Sequence, residues 1–284
     1  MAEDTIRNIE NVTGGAGADS LFGDGLANSL SGGFGHDRLR GGGGKDVLDG
    51  GLGVDMADYS DKTASVMVTL NGATDTVATV GGIAEDTIRS IENVTGGAGS
   101  DTLFGDSLAN ALSGGSGNDV LRGGGGKDVL DGGRGVDTAD YGDKTASVIV
   151  TLNGGTQSVV TVGGVAEDKI RNIENVTGGS GADTLIGDGL ANRLVGGGGN
   201  DTLTGAGGAD IFVFAPAFGR DVVTDFTSSD KLRIDRTIFA DWTTLLSHAR
   251  QVGADTVLTS SATQTITLDN FNLASLTASQ IQFA

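Results

Sequence analysis

Aspartate and glycine recur together in this chain at a spacing suited to holding a hard cation. Five nine-residue phrases show it most fully: GGFGHDRLR at 32–40, GGGGKDVLD at 41–49, GGSGNDVLR at 114–122, GGGGKDVLD at 123–131 and GGGGNDTLT at 196–204. Fourteen nonamers open on glycine, carry Asp or Asn sixth and usually Leu eighth. Each Asp supplies anionic oxygen, and the glycines leave backbone carbonyls sterically open. Calcium takes six to eight oxygens at about 2.3–2.6 Å, more than two carboxylates can give. The candidate ligands are Asp19, Asp37, Asp46, Asp55, Asp101, Asp119, Asp128, Asp137, Asp183, Asp201 and Asp210.

Positioning these residues requires a chain that turns every nine residues. Glycine supplies the positive φ of each tight turn. The three residues after each Asp alternate sides as a short strand does, which sends the eighth inward. Leu21, Leu30, Leu39 and Leu48 then stack as one inner column. Two nonamers make a coil of 18 residues, so Asp19, Asp37 and Asp55 line one edge, and Asn28 and Asp46 the other. The expected fold is all-β, a parallel β-roll or β-solenoid. A flexible linker would not hold Asp and Leu in phase over five consecutive nonamers. Asp pairs 18 apart give five candidate sites: Asp19/Asp37, Asp37/Asp55, Asp101/Asp119, Asp119/Asp137 and Asp183/Asp201. Asn28/Asp46, Asn110/Asp128 and Asn192/Asp210 add three weaker ones, for up to about eight Ca2+ ions.

Composition agrees. A formal charge of −19 and a pI near 4.2 exclude nucleic acid as a partner, since its phosphates would be repelled. Bound calcium would cancel most of that charge, so the chain is expected to expand without the metal and fold with it. There is no cysteine, which leaves calcium the stapling role that disulfides often play in exported proteins. The N-terminus, MAEDTIRNIE, has acids where a cleaved signal peptide has basic residues. No apolar run of about 18 residues would span a membrane.

A longer period lies above the short one. AEDTIRNIENVTGGAG at 2–17 returns at 84–99 and 166–181, 82 residues apart each time. This predicts module 1 at 1–83 (nonamers 14–58 plus spacer), module 2 at 84–165 (nonamers 96–140 plus spacer), module 3 at 166–214 (nonamers 178–213) and a cap at 215–284. The 37-residue spacer reads as strands, with Val66, Val68 and Leu70 alternating, Asn71-Gly72 as a turn and 76–80 pairing back. It either continues the solenoid or bulges from it as a hairpin. In the second nonamer of each block Asn28, Asn110 and Asn192 replace Asp, while Leu26, Leu108 and Leu190 replace a glycine. Those loops are expected to bind calcium poorly. Ala57 and Ala139 stand where Leu is expected, so the column tapers there. The cap reads as β-rich, with strands at 221–226, 231–235, 255–259 and 264–269. It holds one short helix at 242–251, with Asp241 as N-cap and Trp242, Leu245, Leu246 and Ala249 on one face.

Other motifs carry less. GGGGKD at 41–46 lacks the Ser or Thr and the opening glycine of a phosphate-binding loop, and no EF-hand pattern ends in a bidentate Glu. His36 and His248 have no cysteine for a zinc site, and no GxSxG elbow is present. The sequons at Asn11, Asn93 and Asn175 fall in phase on strands and read as structural.

On these nonamers the chain resembles the RTX family of bacterial proteins with haemolysin-type calcium-binding repeats, exported by type I secretion. DVVTDFTSSDKLRID at 221–235 resembles the strand pair closing the family's roll, and LTASQIQFA at 276–284 resembles its apolar terminal signal, with Gln280 and Gln282 where an acid is usual. The resemblance implies a secreted, extracellular, non-catalytic monomer that meets the secretion machinery through its tail and folds on external calcium. It also implies three contexts. One is the C-terminal calcium-binding and export module of a larger enzyme (protease, lipase or polysaccharide epimerase), with Met1-Ala2 at a module seam. The others are a stand-alone nodulation-type, pore-forming protein acting on host membranes, and a surface adhesin contacting polysaccharide.

Overall fold

The computed structural model describes residues 9–284. Most of the N-terminal segment read above for export, and the start of the first 82-residue phrase, lie outside the described residues. Two compact units follow one another, Met1–Gly135 and Val136–Ala284.

In the first unit the nonamers deliver short strands alternately to two parallel sheets. One sheet joins Asn11–Thr13, Ser29–Gly35 and Val47–Gly53; the other joins Ser20–Phe22, Arg38–Arg40 and Met56–Asp58. Register follows the 18-residue coil, with Val12 opposite Leu30, Leu30 opposite Leu48, and Leu21 opposite Leu39. Leu30, Leu39 and Leu48 are fully buried, and Leu21 is half-buried. Each buried leucine of such a column contributes about 1.5–3 kcal/mol. At the tapered position Ala57 is fully buried, and so is Tyr59 two residues later.

The spacer does both things its sequence allows. Val66–Thr69, Thr76–Val80 and Ile83–Arg89 form an antiparallel meander inside one sheet, with Gly81 and Gly82 at positive φ in its second turn. Its end strands continue the parallel stack: Ile88 lies opposite Leu48, and Val68 opposite Leu103. In the other sheet Met56–Asp58 pairs directly with Asn93–Thr95. Between the strand at 11–13 and the one at 93–95 the chain changes sheet seven times, an odd number, because the spacer meander stays in one sheet. The repeated NVT strand at 11–13 and 93–95 therefore falls in opposite sheets.

The second unit repeats this plan. Asn175–Thr177, Arg193–Val195, Ile211–Phe214, Lys231–Ile234 and Ile281–Phe283 follow Thr138–Asp140 in one sheet. Thr184–Ile186, Thr202–Thr204, Arg220–Val223 and Thr265–Leu268 continue the spacer meander in the other. The apolar terminal segment is thus a strand of the roll, with Ile281 opposite Leu232. Phe212, Phe226 and Phe271 pack in series, with ring centroids 6.2 and 5.1 Å apart. The helix is shorter than its sequence suggests, Trp242–Ser247, capped by Asp241 accepting from the Thr244 N–H at 2.7 Å. Ala249–Val252 instead pairs antiparallel with Asp255–Thr259 about Gly253 at φ +63°. Hairpin pairing there overrides helical propensity, and Leu246 is left exposed while Leu245 is buried.

Candidate metal centres

Each loop aspartate has two oxygens with separate tasks. Asp37 Oδ1 accepts the Asp19 N–H, Asp55 Oδ1 accepts the Asp37 N–H, and Asp46 Oδ1 accepts the Asn28 N–H, each at 2.8 Å. One oxygen per loop thereby fixes the loop 18 residues earlier on the same edge. The other oxygen, Oδ2 of Asp37, Asp46, Asp55 and Asp201, is buried with no hydrogen-bond donor. A buried polar atom left unpaired costs about 1–3 kcal/mol, and more when charged, so a stack of them requires a compensating cation.

The surroundings fit a hard one. A Cβ on Gly32 would lie 2.2 Å from Asp37 Oδ2 and 2.5 Å from the Gly50 carbonyl oxygen. Carboxylate and carbonyl oxygens thus converge where only glycine fits. Gly33 and Gly35 of that loop hold φ at +101° and +135°, backbone that a side chain would strain. Among the described residues no three His, Cys, Asp or Glu side chains gather as a metal cluster. The donor set is paired carboxylates with backbone carbonyls, all oxygen, which suits calcium and not zinc.

The loops divide into two kinds. In the loops of Asp37, Asp46, Asp55, Asp119, Asp128, Asp137 and Asp201 the second and fourth residues are glycines at positive φ. Asp210 belongs beside them, with Ala206 and Gly208 at positive φ. In the first nonamer of each block the loop instead closes on its own Asp: Gly15, Gly97 and Gly179 donate to Oδ2 of Asp19, Asp101 and Asp183 at 2.7, 2.6 and 2.7 Å. Asp101 and Asp183 also accept on Oδ1 from the Val66 and Val148 N–H groups, so both their oxygens are engaged. The Asn loops close likewise, since Asn28, Asn110 and Asn192 accept from Asp24, Asp106 and Asp188 N–H groups at 2.8 Å. Leu26, Leu108 and Leu190 stand exposed on these loops.

Where the nonamers stop, other acids take the next place in the stack. Asp86 Oδ1 accepts the Asp46 N–H at 3.1 Å, and Glu92 Oε2 accepts the Asp55 N–H at 2.8 Å. In the second unit Glu174 accepts from Asp137, Asp221 from Asp201 and Asp230 from Asp210. Sequence reasoning passed over all five. Asp221 and Asp230 carried a signal, being nine residues apart, and so did Asp86, sixth in GGIAEDTIR at 81–89 with Ile88 eighth; Glu92 and Glu174 did not.

Burial pushes four carboxyls of the stack up, those of Asp86, Asp201, Asp210 and Asp221. Asp201 is raised to about 7 and Asp221 to about 8, by burial first and then by neighbouring carboxylates, against the hydrogen bonds they accept. Asp210 is raised to about 6 and Asp86 to about 7, again chiefly by burial. Tyr59 is pushed well above the ordinary phenol by burial and by the adjacent Asp86 charge.

The RTX calcium-binding nonapeptide repeat, a four-copy family pattern, matches residues 8–25, 22–57, 91–107, 104–139, 173–189 and 177–212. The chain belongs to the RTX repeat family. No curated protein matches it. Among solved structures, the extracellular lipase LipA from Serratia marcescens aligns with 99% of this chain and 41% of its own, at 20% identity and a TM-score of 0.30. The chain thus spans well under half of that lipase's length.

Proposed function

We propose that this RTX β-roll is a secreted module whose own activity is to bind calcium and fold on it, with no catalytic role. The supporting observation is the row of buried, unpartnered Oδ2 atoms beside glycines that admit only oxygen ligands. In this reading Asp37, Asp46, Asp55, Asp119, Asp128, Asp137, Asp201 and Asp210 hold calcium through their loops. Asp19, Asp101 and Asp183 start each stack, and the Asn loops act as spacers in the coil. Bound calcium would neutralise the paired carboxylates and join successive coils. Extracellular modules bind calcium at about 10⁻⁴–10⁻³ M, so the chain would stay unfolded in a cytosol and be threaded by type I secretion machinery through its tail. Folding outside would then seat Ile281–Phe283 in the roll.

A calcium titration of the full chain followed by circular dichroism tests this. The expected result is a cooperative gain of β-structure in the millimolar range or below. A spectrum that calcium does not change, with no bound calcium after dialysis, refutes the reading.

A further inference from the structure

The outward face of the second unit carries two arginines that the calcium loops do not use. Arg193 lies opposite Ile211, and on the next strand pair Val213 lies opposite Arg233. Because Leu194, Phe212 and Leu232 are buried in the column, alternation sends Arg193, Ile211, Val213 and Arg233 to the solvent side. Arg193 and Arg233 both border a cleft of about 160 Å³ that Val213, Ala215 and Asp235 also line. We propose that this cleft binds a carboxylate carried on a small apolar body, gripped between the two guanidinium groups.

Arginines elsewhere on the roll are satisfied by the protein itself. Arg38 and Arg40 pair with Asp58 at 2.7 and 2.5 Å, and Arg89 pairs with Asp49 at 2.9 Å. Arg220 and Arg236 donate to the Ala262 and Ala240 carbonyls. Among the described residues the Arg193 and Arg233 side chains have no such partner, although Arg193 is half-buried. Burial, and then the Arg233 charge, lower the Arg193 guanidinium below its ordinary value. A half-buried cation beside a like charge and without an acid is costly. An anion between the two relieves both costs.

Asp235, the acid on the cleft wall, is engaged elsewhere: its Oδ1 accepts the Thr237 N–H and hydroxyl at 2.8 and 2.6 Å. Ala284 borders the cleft too, and its carbonyl oxygen accepts the Arg236 N–H. Each guanidinium presents N–H donors in one plane, the geometry that a carboxylate accepts. Val213 and Ala215 offer apolar wall to the rest of the guest. Asp235 and the formal charge of −19 disfavour a dianion, so a carboxylate fits better than a phosphate.

The test compares guests that share a ring and differ in charge. Calcium-loaded full chain is dialysed to equilibrium against benzoate, phenyl phosphate or benzyl alcohol. Benzoate is expected to bind at a single site, more tightly than phenyl phosphate, and benzyl alcohol not to bind. Arg193→Gln and Arg233→Gln are each expected to weaken benzoate binding by about tenfold or more. Arg250→Gln, at an exposed arginine outside the cleft, is expected to leave it unchanged. Circular dichroism confirms that each variant is folded; should Arg193→Gln not fold, Arg233→Gln, at an exposed position, carries the test. Tighter binding of phenyl phosphate overturns the choice of carboxylate, and equal benzoate binding by Arg233→Gln and Arg250→Gln overturns the cleft. Absence of benzoate binding overturns the proposal outright, and lower melting of both cleft variants would then assign the arginines to holding the Ala284 end of the chain.

Discussion

Acid is expected to do part of calcium's work. Several carboxyls of the stack have folded-state pKa values far above the unfolded carboxylate value of 3.8: Asp201 about 7, Asp221 about 8, Asp86 about 7 and Asp210 about 6. A folded value above the unfolded one means that the native state binds the proton more tightly. The stabilisation is therefore complete below the unfolded value and lost as pH rises through the folded one. At about 1.4 kcal/mol per pH unit, Asp201 loses roughly 3 kcal/mol between pH 5 and 8, and Asp221 roughly 4 kcal/mol. Their mutual repulsion enters both figures, so the sum is an upper bound. Even half of it is large beside a total stability of about 5–15 kcal/mol. The experiment takes calcium-free chain from pH 8 to pH 5 and follows far-ultraviolet circular dichroism, with light scattering to exclude aggregation. The expected result is a gain of β-structure on acidification, centred between pH 6 and 8. With calcium present the trend reverses in affinity, because protons compete for the same carboxylates. A calcium-free chain equally unfolded at pH 5 and pH 8 would refute the argument that burial of unpaired carboxylates holds the roll open.

Two substitution tests probe the stack itself. A Cβ at Gly53, whose φ is +152°, would lie 1.5 Å from the Gly35 carbonyl oxygen, whereas at Gly43 the nearest atom is 3.6 Å away. Gly53→Ala is expected to lower the melting temperature at saturating calcium by an amount equivalent to about 3 kcal/mol or more, and Gly43→Ala to change it little; equal melting of the two variants would count against close coil stacking. Leu121 is fully buried in the column, so Leu121→Asp is expected to cost several kcal/mol, read as a lower urea midpoint at saturating calcium. An unchanged midpoint would mean that the side chain does not face inward.

The nonamers made much of this architecture readable. Leu30, Leu39 and Leu48 at period nine left one side for each strand, and Asp19, Asp37 and Asp55 at period 18 then had to share an edge. The two kinds of loop were not readable in the same way. GGAGADSLF at 14–22 and GGFGHDRLR at 32–40 have the same glycine and aspartate framework. The difference lies in context: the first nonamer of a block has no nonamer loop 18 residues before it, and its glycine N–H turns back to its own Asp. The spacer was ambiguous for a related reason. Its alternation of Val66 and Val68 fixes an inward face, but the choice of pairing partner, parallel to 102–104 and antiparallel to 76–80, is made by tertiary packing. In the tail, local propensity favoured a helix through residue 251, and a hairpin partner at 255–259 decided otherwise.

The odd number of sheet changes in each 82-residue module gives the chain a parity. Adding or removing a single module would exchange the sheets to which every downstream strand belongs, and with them the edge on which each downstream aspartate stands. Adding or removing two modules would restore the original assignment. An engineered RTX array of this type would present a grafted loop on one edge in odd-numbered modules and on the opposite edge in even-numbered ones, a built-in means of alternating displayed groups along one continuous scaffold.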